Sequence, residues 1–180
     1  MSVDVTTPAE ALRTAVLALA DLRLDTNTDP AELAADIPGA VESCRILDAR
    51  LAGVVAAAEA EARAAVLAEI AQLNSEARAL QDEAAADAVT TAATVNALYS
   101  RQIVGAGVMT VAGEALLAQA TAKLNQADTK QTSLRAPFFL RTASTPTPVS
   151  VAEITALSAA QFVQRSAAIT AAVVAGQVEA

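Results

Sequence analysis

The 180 residues include no histidine, no tryptophan, one cysteine and one tyrosine, and alanine dominates a hydrophobic fraction of 54%. Without histidine, imidazole-based acid–base catalysis, serine–histidine and cysteine–histidine nucleophile pairs and imidazole metal sites are all excluded within one chain type. The net charge of −8 is the sum of −10 over residues 1–100 and +2 over residues 101–180; this acidic front argues against nucleic acid and anionic membranes, which need a positive footprint, and the asymmetry suits head-to-tail contacts.

Near the start, Asp4, Glu10, Arg13 and Asp21 interrupt the only stretch that could serve as the apolar core of a signal peptide, so synthesis and use in a cytoplasm are expected. Residues 1–37 read as short N-terminal helices. Thr7-Pro8-Ala9-Glu10 and Asp29-Pro30-Ala31-Glu32 each place a capping oxygen three residues before a glutamate and a proline at the first helical position. The first predicts a helix over 8–23 with Leu12, Val16, Leu19 and Leu22 on one face; the second predicts a short helix over 30–35, which Pro38-Gly39 then separates from a long helical rod. Cys44 has no partner for an intramolecular disulfide and reads as a small buried residue.

Residues 38–127 are expected to hold that rod and a further helix after it. Between Val41 and Gln102 there is no proline and a single glycine, Gly53, so a continuous helix would reach roughly 90 Å at about 1.5 Å per residue. Leu73-Asn74-Ser75 and Val89-Thr90-Thr91 are the two places where it could instead fold back as a hairpin. Leu47, Leu51, Val55, Ala58, Ala62, Val66, Leu73, Ala77, Leu80, Ala84 and Ala88 form an apolar series of period eleven with Glu69 as its misfit, which predicts a nearly straight bundle. Gly53 with Ala57 offers a point of close helix approach. Because an alanine seam cannot stabilise an isolated helix of this length, Leu47, Leu51, Val66, Leu73 and Leu80 are expected to form a seam between copies. Ion pairs four apart are expected at Glu59 with Arg63 and at Arg78 with Asp82. Gly105-Ala106-Gly107 marks a turn, and a helix over 110–126 comes next, with Thr110 as its cap.

Residues 128–150 form a proline- and threonine-rich linker or docking segment. Pro137, Pro146 and Pro148 forbid a long helix there, and two of the chain's three phenylalanines, Phe138 and Phe139, sit between Arg135 and Arg141. They either plug the end of a helical bundle or dock onto another subunit, in which case Phe138, Phe139, Arg135 and Arg141 are the partner-docking residues. Residues 151–180 hold a C-terminal helix, capped by Ser150-Val151-Ala152-Glu153, running from about 151 to 175 and ending near Gly176.

No site chemistry emerges from these motifs. Gly105, Gly107 and Gly113 do not make a dinucleotide fingerprint, because Thr110 stands where a glycine is needed and no strand–helix–strand unit surrounds them. Glu83 and Asp87 share a helical face but lack further oxygen ligands, so they read as a solvated acidic surface. The most apolar window, 103–113, is far shorter than the roughly twenty residues that span a bilayer. No catalytic, cofactor-binding or metal residue is expected. The fold class is therefore all-α: a long alanine-rich helix, rod or hairpin, with short flanking helices, elongated, in a coiled-coil or bundle oligomer. The function expected is non-enzymatic and structural: an oligomeric helical component of a bacteriophage virion (neck, tail or fibre), made in the host cytoplasm. It would contact itself and other structural proteins, with no nucleic acid, membrane or cofactor. The alternative is a cytoplasmic helical adaptor, assembly chaperone or phasin-like coat protein, although a coat would need a wide, bulky apolar face.

Overall fold

A computed structural model describes residues 3–99, 108–138 and 147–179, and these are all-α apart from two strands of two residues each. The chain divides into two compact units, one comprising residues 1–62 with 137–180 and the other residues 63–136.

In the first unit, helix α1 spans Thr6–Leu24 and buries Ala9, Leu12, Val16, Leu19 and Ala20 at the expected helical spacing. Its cap lies one turn earlier than Thr7. The Asp4 carboxylate accepts from the Thr6 amide at 2.9 Å and from the Thr7 hydroxyl at 2.6 Å, so Thr7 donates to the cap instead of forming it. Those hydrogen bonds, led by the Thr7 hydroxyl, hold the Asp4 carboxyl below its ordinary range. Helix α2 spans Pro30–Leu98 without interruption, 69 residues in all. Asp29 caps it by accepting from the Ala31 amide at 2.8 Å.

The expected break at Pro38-Gly39 is absent from α2, and so is a fold-back at either place where a hairpin was the alternative. Pro38 and Gly39 lie inside the helix, not at a boundary, and neighbouring Ile37, Ala40 and Val41 pack partly against the core of the first unit. That packing offsets the hydrogen bond proline removes. Neither Leu73-Asn74-Ser75 nor Val89-Thr90-Thr91 turns the chain, and at the second of these places the Thr90 hydroxyl bonds back to the Ala86 carbonyl within the helix. The expected turn at 105–107 lies outside the described residues. Within the chain no other element approaches Gly53, since nothing comes within 4 Å of the place its Cβ would occupy.

The C-terminal part of the first unit is two helices where one was expected. Strand β1 (Val149–Ser150) leads into α4 (Val151–Ala156), capped by the Ser150 hydroxyl as expected, and α5 comes next at Ala159–Val174. Leu157 is extended between them, and Ser158 opens α5 with a reciprocal box: its hydroxyl accepts from the Gln161 amide while the Gln161 side chain accepts from the Ser158 amide. The helix ends in a Schellman motif, Gln177 N–H to Ala172 O and Gly176 N–H to Val173 O, with Gly176 at φ 81°. This reversal lets β2 (Val178–Glu179) pair in parallel with β1. Phe162, Leu12, Leu19, Leu51, Ile154 and Ile169 are the largest fully buried side chains, and all belong to this unit.

The second unit pairs the rest of α2 with α3 (Val111–Ser133). Thr110 caps α3, accepting from the Gly113 amide at 3.2 Å. The helix runs seven residues past the expected end and into the segment read as linker, and the Thr129 and Thr132 hydroxyls bond back to the carbonyls of Asn125 and Asp128. Arg63 to the Leu134 carbonyl, Lys130 to Glu69, Lys123 to Glu76 and Thr110 to Asp87 join the helices in falling order, so they run antiparallel. Buried positions recur every seven residues on both: Ile70, Ala77 and Ala84 on α2, and Gly113, Ala120 and Ala127 on α3. Every member of the eleven-residue series is buried or half-buried, Glu69 is exposed as its misfit, and Ile70 beside it takes the buried place. Two paired helices keep their seams in contact only if both follow the same repeat.

Candidate functional site

Within the first unit two arginines of α1 close helix ends far away in sequence. A helix leaves its last carbonyls without intrahelical donors, and Arg13 meets two of them at the end of α4, donating through Nη2 to the carbonyls of Ile154 (3.2 Å) and Leu157. Its guanidinium also lies 5.2 Å from the centroid of the Phe162 ring, a cation–π contact. Arg23 donates to the Val174 carbonyl at the end of α5. These side chains are structural clasps; nothing in the spacing of Arg13 and Arg23 announces them, because their acceptors lie more than 140 residues on. Cys44 is fully buried, as its apolar neighbours implied, and burial, with a smaller contribution from Asp48, pushes its thiol pKa up.

Phe138 borders a groove of about 440 Å³ in the same unit, with Val5, Ala159 and Val163 among the residues around it. It is 37% exposed, so it lies against the α1 and α5 termini without being enclosed by them. Phe139 and Arg141 fall outside the described residues. Arg135 is exposed in the second unit. Of the residues expected in a seam between copies, Leu51 is fully buried in the first unit's own core and Leu47 packs partly against it. The apolar surface of Leu51 is thus taken up by the chain itself and that of Leu47 in part, while Val66, Leu73 and Leu80 are half-buried in the second unit.

The second unit shows the opposite balance. Among the described residues its buried apolar side chains are Ile70 and six alanines, 77, 84, 88, 92, 120 and 127. Meanwhile Leu67, Val89, Leu98, Tyr99 and Val111 are more than half exposed. Val89 and Val111 lie by the start of α3 and Leu98 and Tyr99 at the end of α2, and the patch of residues 88–99 and 108–113 to which they belong carries no charge at all. Asp87 stands at the edge of that patch. It accepts from the Thr110 amide at 2.7 Å and the Thr110 hydroxyl at 3.0 Å, so it is an anchor for the start of α3 and not merely part of a solvated acidic face. Across the pair, Lys123 bonds Glu76 at 2.5 Å, and this hydrogen bond, followed by one from Gln72, holds the Glu76 carboxyl below its ordinary range.

No cluster of three or more metal-ligating side chains occurs among the described residues, and none of their helices is long and apolar enough to cross a membrane. The arrangement offers surfaces for packing. Comparison with protein families, with curated proteins and with solved structures finds no match to this chain.

Proposed function

We propose that this chain is a non-enzymatic structural protein that acts by helix-to-helix assembly, and that its setting is a bacteriophage virion, in the neck, tail or fibre. The observation that carries the assembly reading is the second unit, whose buried apolar side chains are Ile70 and alanines while Leu67, Val89, Leu98, Tyr99 and Val111 are more than half exposed. At about 25 cal/mol per Å², burying a methyl contributes little and burying a leucine contributes roughly 1.5–3 kcal/mol. Residue for residue, covering one of those exposed side chains therefore contributes more than an alanine of the seam does. The virion setting rests on narrower ground: a long alanine-rich helix joined to a proline- and threonine-rich segment, in a chain without histidine.

Cross-linking mass spectrometry on cells or particles containing the tagged chain tests both halves. The expected result is co-sedimentation with particles and cross-links from residues 63–136 to other chains. Cross-links to cytoplasmic cargo without particles would transfer the protein to the adaptor or chaperone class. A chain that forms no cross-links to any protein overturns the assembly reading.

A further inference from the structure

The pairing of α2 with α3 nearly repeats itself when one helix slides past the other by one heptad. Arg63 is bonded to Leu134 and Asp87 to Thr110, which in an antiparallel pair sets Ile70 level with Ala127, Ala77 with Ala120 and Ala84 with Gly113. Lys130 and Lys123 then reach Glu69 and Glu76. Moving α3 one heptad toward the end of α2 sets Ile70 against Leu134, Ala77 against Ala127 and Ala84 against Ala120. The same slide carries Lys130 to Glu76 and Lys123 to Glu83, because Glu69, Glu76 and Glu83 are spaced one heptad apart, as the two lysines are. Among the described residues Glu83 is exposed and belongs to no ion pair. The opposite slide keeps only Lys123 with Glu69, since Lys130 then meets Ala62.

We propose that α3 is a sliding element with two registers on α2, one heptad or about 10 Å apart, and that the contacts at its two ends hold it in the observed one. The alanine seam does not choose, since Ala77 and Ala84 meet small residues in either register and the two lysines find glutamates in both. The ends do choose. Asp87 accepts from the Thr110 amide at 2.7 Å and from its hydroxyl at 3.0 Å, and Arg63 donates to the Leu134 carbonyl at 2.8 Å. A slide breaks both contacts: Thr110 comes level with Thr94, and Leu134 with Ile70. Half-buried Asp87 comes level with Leu117, inside the helix, where the backbone amides are already bonded. Polar contacts of this kind fix one alignment of paired helices whose apolar seam allows several. Loosening either end therefore shifts the whole helix, so that an event at Thr110 is carried to Leu134, about 36 Å away. Packed helices that step past one another by a turn are switches of the same type. The slide also brings Thr110 nearer to Leu98, so residues 99–109 have less distance to span.

Carbodiimide coupling of the full chain, read by mass spectrometry, distinguishes the registers, because it joins only a lysine and a carboxylate that touch. In the wild type the dominant links are expected to be Lys130–Glu69 and Lys123–Glu76. Releasing the ends with Arg63→Met and Asp87→Ala is expected to raise Lys130–Glu76 and Lys123–Glu83 by at least about ten-fold. Adding Glu83→Gln to that chain should lower the Lys130–Glu76 link, although neither of its residues is altered, because the slid register loses its other ion pair. Should the released variant lose helix content, Glu69→Gln carries the test. It changes an exposed side chain, removes an ion pair from the observed register alone, and should raise Lys123–Glu83 by about two-fold or more. Links confined to Lys130–Glu69 and Lys123–Glu76 in every variant overturn the proposal. So do links spread without preference over all the glutamates, which would show α3 detached from α2 and not displaced along it.

Discussion

Gly113 shows how little room the second unit leaves at its tightest point. A Cβ there would stand 2.4 Å from Oδ2 of Asp87 and 3.1 Å from Cβ of Met109. Asp87 can swing away, but only by giving up its bonds to Thr110, which anchor the start of α3. Gly113→Ala is therefore expected to destabilise by about 1–2 kcal/mol, the usual cost of a lost cap, as measured by urea unfolding. In an Asp87→Ala background the same substitution should cost clearly less, since the two effects share one contact. Glu76 makes a pH prediction. Its carboxyl pKa is lowered in the fold by Lys123 and Gln72 from an ordinary value of 4.5. The resulting contribution is present above that value and lost as pH falls through the depressed one. A carbon-detected NMR titration should find Glu76 titrating below the ordinary value of 4.5, and Lys123→Met should return it toward that value.

Helix α2 tolerates at Pro38 what helices ordinarily do not. Proline has no N–H for the carbonyl of Ala34, and an interior proline costs about 3 kcal/mol relative to alanine. The helix survives because Asp29 caps it upstream and Ile37, Ala40 and Val41 pack on the first unit's core. Pro38→Ala is accordingly expected to raise stability by about 1–3 kcal/mol, seen as a higher thermal midpoint with helix content unchanged or increased. A fall would mean that the proline geometry is itself needed by that packing. The break between α4 and α5 was legible: Ser158-Ala159-Ala160-Gln161 is a capping-box signature hidden in a stretch that otherwise reads as one helix. The seven-residue recurrence of Gly113, Ala120 and Ala127 was also open to reading, but in so alanine-rich a chain many registers fit, and only the partner helix selects one.

For the whole molecule the two units rest on different physics. The first has a conventional core, in which Phe162 is enclosed by apolar side chains and lies under Arg13. Phe162→Ala should cost about 3–5 kcal/mol. Hydrogen exchange should show the loss of protection over 6–24 and 151–174, with 63–136 keeping its own; uniform loss along the chain would show that the units do not unfold separately. The second has an alanine seam, two ion pairs and exposed leucines, and its stability should depend on protein concentration if a second copy covers it.

The sequence by itself determined the helices. Alanine content, the absence of proline and the near absence of glycine between Val41 and Gln102, and the caps at Asp29, Thr110 and Ser150 act over one or two turns, and local effects are readable locally. It also indicated that Cys44 is buried and that histidine chemistry is absent. Only the tertiary structure decided which apolar residues are spent inside the chain. Leu51 goes to the first unit's core with residues of α1 and α5, Leu73 and Leu80 are half-buried in the second unit, and Leu67, Leu117 and Leu124 remain exposed. The same holds for Arg13 and Arg23, whose acceptors are carbonyls brought near by folding. Helix propensity is a property of neighbours in sequence, whereas the choice of seam is a contest between surfaces distant along the chain, and that contest is settled only when they meet.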